Sequence, residues 1–197
     1  MLPNIPNILT LLRIGLIPIF LAFFYLPVPH AHQICAAIFT LAAVTDGLDG
    51  FLARRLGQMS AFGAFLDPVA DKLMVITALV LLVAADPTPA LAIPTVIIIG
   101  REISVSALRE WMAEIGERTK VAVTVIAKMK TAAQMLAILL LIYRDDIWEL
   151  PVYIIGYVLL YVSAVLTVWS MFVYLKAAWP SMSESTDDAQ TSRGSDQ

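Results

Sequence analysis

Six stretches of about 20 mainly apolar residues, each long enough to cross a bilayer's hydrocarbon core of about 30 Å, follow one another along this chain with short connections between them. They cover approximately residues 8–26, 33–56, 61–84, 91–112, 121–143 and 151–175. With 59% apolar and 15% charged residues among 197, the chain lies outside the compositional range of soluble globular domains. The expected fold class is an all-α integral membrane protein of six transmembrane helices with an N-terminal interfacial segment. No Gly/Ser linker or internal repeat divides it, so residues 8–177 read as one six-helix domain. Residues 1–7, MLPNIPN, have prolines and no long apolar run and read as the interfacial segment. Residues 178–197 hold several acids and no apolar run that could pack, and are expected to be a disordered polar tail.

The first apolar run has neither a basic leader nor a small-residue cleavage site, and is expected to remain as the first span. Cys35 is the chain's one cysteine, which excludes an intramolecular disulfide, and it reads as a small buried apolar residue. Lys and Arg fix the orientation. Arg54 and Arg55 lie near the second-to-third turn, Arg101, Arg109, Arg118, Lys120, Lys128 and Lys130 flank the fourth-to-fifth, and Lys176 follows the sixth span. The opposite connections, PVPHAHQ and DPTPA, have none, and RDDIWEL has one. Both termini are therefore expected in the cytoplasm. His30 and His32 fall in a short outer loop, away from every carboxylate cluster.

Against this apolar background stands DGLDGFLARRLGQMSAFGAFLDPVAD, residues 46–71, with four aspartates. The pairs Asp46/Asp71 and Asp49/Asp67 are both centred close to Gln58, so an antiparallel hairpin turning there sets each pair at one depth. Spacings of three and four residues put both members of a helix on one face. An aspartate in the middle of a spanning helix costs about 2.5–3.5 kcal/mol, and mutual repulsion adds to that. Arg54 and Lys72 are near, but Lys72 is expected to project from a different face than Asp71, and one guanidinium cannot neutralise four acids. Divalent cations can. An oxygen-only ligand set without nearby His or Cys suits Mg²⁺, Mn²⁺ or Ca²⁺ and argues against zinc. Two metals held by four carboxylates serve in-line phosphoryl chemistry. Gly47, Gly50, Ala53, Gly57, Gly63 and Ala64 leave room for close helix packing or for a bulky phosphorylated ligand.

The pattern Asp46, Asp49-Gly50, Ala53-Arg54, Gly63, Asp67, Asp71 resembles the signature of the CDP-alcohol phosphotransferases at every fixed position. Members of that family are six-helix membrane enzymes, usually dimers, that join an alcohol to the phosphoryl group of a CDP-linked donor and release CMP. The resemblance implies that Asp46, Asp49, Asp67 and Asp71 hold two Mg²⁺ or Mn²⁺ ions and that Asp71 also takes the proton of the attacking hydroxyl. It places Gly50, Ala53, Arg54 and Gly63 at the nucleotide-linked donor, with a weaker likeness of Thr10 and Arg13 to the family's amino-terminal nucleotide contacts.

NIPNILTLLRIGLIPIF, GREISVSALREWMAEIG and VAVTVIAKMKTAAQM resemble the corresponding segments of bacterial members that use sn-glycerol 3-phosphate. The implied reaction is CDP-diacylglycerol plus sn-glycerol 3-phosphate giving phosphatidylglycerol phosphate plus CMP, at the cytoplasmic face of a bacterial inner membrane. Independently, Arg101 and Arg109 are eight residues apart, about 80° around a helix and roughly 12 Å along it, so both can border one cavity. With Lys128 and Lys130 they form a candidate acceptor-phosphate site, although Glu102 and Glu110 are alternative ion-pair partners. Membrane lipid and a second copy of the chain are expected partners; nucleic acid is not. Two rival readings stay open at this point: another acceptor, such as inositol phosphate, serine or a lipid alcohol, and a cation transporter built on intramembrane aspartates.

Overall fold

The computed structural model describes residues 5–56, 61–114, 125–146 and 148–172. Within them run six helices: α1 (Ile5–Tyr25), α2 (Ala31–Leu56), α3 (Ala61–Ala85), α4 (Pro89–Glu114), α5 (Val125–Tyr143) and α6 (Val152–Phe172). No strand occurs among the described residues. Where described residues continue past a helix end, at Tyr25, Ala31, Ala85, Pro89, Tyr143 and Val152, that end lies within two residues of the expected one, and proline sets several of them. α1 stops before Pro27 and Pro29, and α3 before Pro87 and Pro89, because a residue preceding proline is driven out of the helical region. Pro89 then opens α4 at the position where a missing N–H costs nothing. The Thr88 carbonyl accepts the first amides of α4, from Leu91 at 3.1 Å and Ala92 at 2.9 Å. His30 turns the chain between α1 and α2 at φ 61°, and its carbonyl accepts the Ile34 amide at 2.9 Å.

Among the described residues, four helical stretches are long and apolar enough to cross a membrane: Asn7–Tyr25, Pro68–Ala85, Pro89–Met112 and Val152–Phe172. α5 carries a shorter apolar helix, Met129–Tyr143. α2 has the length but carries Asp46, Asp49, Arg54 and Arg55 in its second half. Pro18, Pro68 and Pro94 sit inside helices, as spanning helices tolerate where neighbours re-satisfy the freed carbonyls.

The packing is that of a bundle meant for lipid. Large apolar side chains point outward, with Val96 69% and Val165 68% exposed, while Thr10, Arg13, Lys130, Gln134, Ser163 and Thr167 are buried. Water would penalise that outer face, whereas lipid does not. The interior is closed by Phe20, Phe39, Leu79, Ile98, Leu141 and Leu160, drawn from α1 to α6. Cys35 is buried in it, as expected of a small apolar residue. Gly156 lets α6 meet α5 closely, since a Cβ there would stand 3.0 Å from Leu141 Cγ. α1 packs against both α2 and α3, whereas α2 and α3 touch each other least among the packed pairs of α1 to α5 in the described residues. The space so left holds the polar centre.

Candidate active site

Arg13 is the focus of that centre. It lies in α1 between Leu12 and Ile14, is 1% exposed, and reaches across to both arms of the α2–α3 hairpin. Its Nη1 is 3.1 Å from Asp46 Oδ1 and also donates to Asp71 Oδ1. One guanidinium nitrogen thus bridges carboxylates from two helices, and Asp46 and Asp71 meet at one depth across the hairpin. Thr10, one turn earlier on the same side of α1, is equally buried. Thr45, beside Asp46, turns its hydroxyl back onto the Leu41 and Ala42 carbonyls at 2.9 Å and so satisfies itself within α2.

The two carboxylates are not buried. Their side chains are 48% and 43% exposed, and they open onto a cavity of about 400 Å³ walled by α1 to α5. Ala42 and Ala43 keep the α2 wall low, and Pro68, Met74 and Val75 line α3. Lys72 lines the same cavity as Asp71, contrary to the expectation that it projects elsewhere. Consecutive helical residues are about 100° apart, and a cavity this broad takes in both. A cavity polar at one wall and apolar at another suits a ligand with a charged head and apolar chains.

Asp46 and Asp71 belong to the expected metal set; the side chains of Asp49 and Asp67 lie outside the described residues, as do those of Gly50, Ala53, Arg54, Arg109 and Lys128. Among the described residues no group of three metal-ligating side chains is complete. The present donors still fit a hard divalent cation. Two carboxylates from facing helices already converge on one cationic nitrogen at the wall of an open cavity, an oxygen-donor pair of the kind such a cation takes. Gly63, expected near the donor, is part-buried in the first turn of α3.

Two of the expected acceptor cations, Arg101 and Lys130, are drawn into an ion-pair cluster. Glu102 Oε1 accepts Lys130 Nζ at 2.7 Å and Arg101 Nη1 at 3.1 Å, joining α5 to α4. Arg101 Nη2 continues to the Ser170 hydroxyl of α6 at 3.3 Å. Of the three, Glu102 lines the cavity. The alternative partner considered for Arg101 is therefore its observed one.

Sequence reasoning gave Arg13 a role at the nucleotide and missed it as counter-ion to the aspartates. The hairpin symmetry that located the aspartates leaves out α1. The available signal was an arginine in mid-span, which must find a partner inside the bundle.

A family model for CDP-alcohol phosphatidyltransferases matches residues 3–169, and the chain belongs to that family. Its relatives narrow the class. It is 58% identical over 176 residues to the Sodalis glossinidius CDP-diacylglycerol–glycerol-3-phosphate 3-phosphatidyltransferase, covering 89% of this chain and 94% of the relative. Proteins of the same name from Pectobacterium atrosepticum and Yersinia pestis are 56% identical over 175 residues and 53% over 181. These alignments cover 89% and 92% of this chain, and 94% and 98% of the relatives.

Proposed function

We propose that this chain transfers the phosphatidyl group of CDP-diacylglycerol to sn-glycerol 3-phosphate, giving phosphatidylglycerol phosphate and CMP. The observation that carries the reading is the convergence of Asp46 and Asp71, both signature residues, on one cationic point at the wall of a cavity that also has an apolar side. Family membership and relatives more than 50% identical over most of the chain support the substrates. They also weigh against the transporter reading.

In this reaction the acceptor hydroxyl oxygen attacks the lipid-side phosphorus, the bond from that phosphorus to the CMP oxygen breaks, and CMP leaves with the electron pair. Asp71, half-exposed to the cavity, takes the hydroxyl proton. Arg13 fixes the orientation of Asp71 and Asp46 from the buried side, leaving their exposed sides to the ligands. Asp46, Asp49, Asp67 and Asp71 would hold two Mg²⁺ or Mn²⁺ ions, which when bound neutralise the donor pyrophosphate and the charge arriving on CMP. Gly50, Ala53, Arg54, Gly63 and Thr10 would receive the cytidine end. The acceptor's phosphate would be met by Arg101, Arg109, Lys128 and Lys130. Six spans with both termini cytoplasmic put this site within reach of a lipid entering sideways and a soluble phosphate arriving from the cytosol of a bacterium, with residues 8–177 as the catalytic domain of a homodimer.

The test is CMP release by purified protein with CDP-diacylglycerol and a panel of alcohols. Glycerol 3-phosphate is expected to support turnover and serine, inositol phosphate and lipid alcohols are not. Turnover with one of those instead would replace the acceptor and keep the family.

A further inference from the structure

We infer that Glu102, which borders the cavity, is a positioning residue for the acceptor, holding the Lys130 ammonium and the Arg101 guanidinium beside the cavity as one net-positive unit. The inference rests on the reading that Arg101 and Lys130 receive the acceptor's phosphate.

Burial gives the first argument. Lys130 is 3% exposed and Arg101's side chain 10%, so both cations need an anion or an ordered ligand within the bundle. Glu102 supplies it to both through the same oxygen, Oε1, and it is the member of the cluster that borders the cavity. The second argument is placement. α4 provides Arg101 and Glu102, α5 provides Lys130, and α6 joins through Ser170, itself buried and bonded back to the Thr167 carbonyl at 2.8 Å. Thr131 and Gln134 of α5, one and four residues beyond Lys130, line the same cavity. The cluster therefore ties three helices together beside the wall that faces Asp46 and Asp71.

Charge gives the third. The carboxylates on this cavity, Asp46, Asp71 and Glu102, outnumber its lining cations, Arg13 and Lys72, among the described residues. Lys130 and Arg101 together carry one charge more than Glu102, so the cluster beside the cavity is net positive. A lysine is a point charge on a flexible stem, and Glu102 is what holds this one at a fixed place. The carboxylate acts through the cations and need not touch the reacting atoms.

Steady-state kinetics of the full-length protein tests this, with glycerol 3-phosphate varied at fixed CDP-diacylglycerol and the reverse. Glu102→Gln is expected to raise the acceptor KM by roughly ten- to a hundredfold, the worth of one charge-assisted hydrogen bond. The donor KM is expected to stay within about twofold. Glu102→Asp, which keeps the charge and so keeps the test usable should the Gln variant not fold, is expected to raise the acceptor KM by a smaller factor. In a Lys130→Met background either change is expected to lose most of its effect, because the two residues act as one unit. An unmoved acceptor KM, an equal rise in both KM values, or a full effect in the Lys130→Met background would each overturn the inference. If the unaltered protein releases no CMP with glycerol 3-phosphate, it is the proposed function that fails, which these outcomes in an active protein do not imitate.

Discussion

α3 carries the carboxylate of Asp71 near its middle and is followed by another, Asp86, just beyond its C-terminal end; each has partners on another helix, and they serve opposite purposes. Asp86, just beyond the helix, accepts the Tyr153 and Tyr157 hydroxyls of α6 at 2.8 Å each. Arg144 lies over the Tyr153 ring, 5.5 Å from its centroid. About 22 Å back along the helix, Asp71 shares a buried guanidinium with Asp46 beside a cavity. Neutral hydroxyls from one neighbouring helix bond Asp86, that of Tyr157 also standing 3.4 Å from the Thr88 hydroxyl, and they tie the α3–α4 turn to α6. At Asp71 the partner is a charge, that charge is shared, and nearly half of the carboxylate still faces open space. A carboxylate tied by hydroxyls to one neighbouring helix serves the fold, and a pair converging on one guanidinium beside a cavity serves a ligand.

Substitutions can break this contrast. The largest effect is expected for Asp46→Asn, which should remove CMP release to background without lowering the thermal midpoint in detergent, since it relieves repulsion with Asp71. A chelator should have the same effect on the unaltered protein, reversed by added Mg²⁺. Arg13→Lys comes next. A single ammonium cannot reproduce the guanidinium fork, and activity should fall roughly ten- to a hundredfold, measured as CMP release. If Arg13→Lys were fully active, the bridge between the aspartates would be incidental.

Gly156→Ala is expected to leave activity per folded molecule unchanged and to cost about 1–3 kcal/mol, because the new Cβ would stand 3.0 Å from Leu141 Cγ and 3.2 Å from Leu140 Cβ. Thermal melts in detergent read that cost. The smallest effect belongs to Asp86. The Tyr153 hydroxyl foremost, with that of Tyr157, holds its carboxyl below the usual carboxylate range. The folded state thus favours the ionised form, and the stability gained is present above the unfolded pKa of about 3.9 and fades as pH falls through the folded value. Asp86→Asn should lower the midpoint by a few degrees near neutral pH, with the difference shrinking below about pH 4.

The sequence made the lipid-facing character and the helix order legible, because an apolar run of spanning length and a proline at its end are local signals. It also made the Asp46–Asp71 pairing legible, because a short hairpin constrains register. Arg13, Glu102 and Asp86 were harder for a common reason. Each is paired with residues of another helix, and which faces of α1, α4 and α6 turn inward is settled by packing rather than by spacing. Low hydrophobic contrast around helices in lipid weakens the usual clue, since outward positions such as Val96 and Val165 are as apolar as inward ones. Lys72 was misplaced because a strict one-face reading of a helix underestimates what a broad cavity reaches.

One paired measurement tests the account most directly: CMP release from CDP-diacylglycerol by Asp71→Asn and Asp86→Asn side by side, with glycerol 3-phosphate and Mg²⁺, well below either melting point. The prediction is that Asp71→Asn loses about two to four orders of magnitude while remaining folded, and that Asp86→Asn keeps full activity with a lower midpoint. An active Asp71→Asn, or a folded but inactive Asp86→Asn, would contradict the assignment of chemistry to the middle of α3 and of clasping to its C-terminal end.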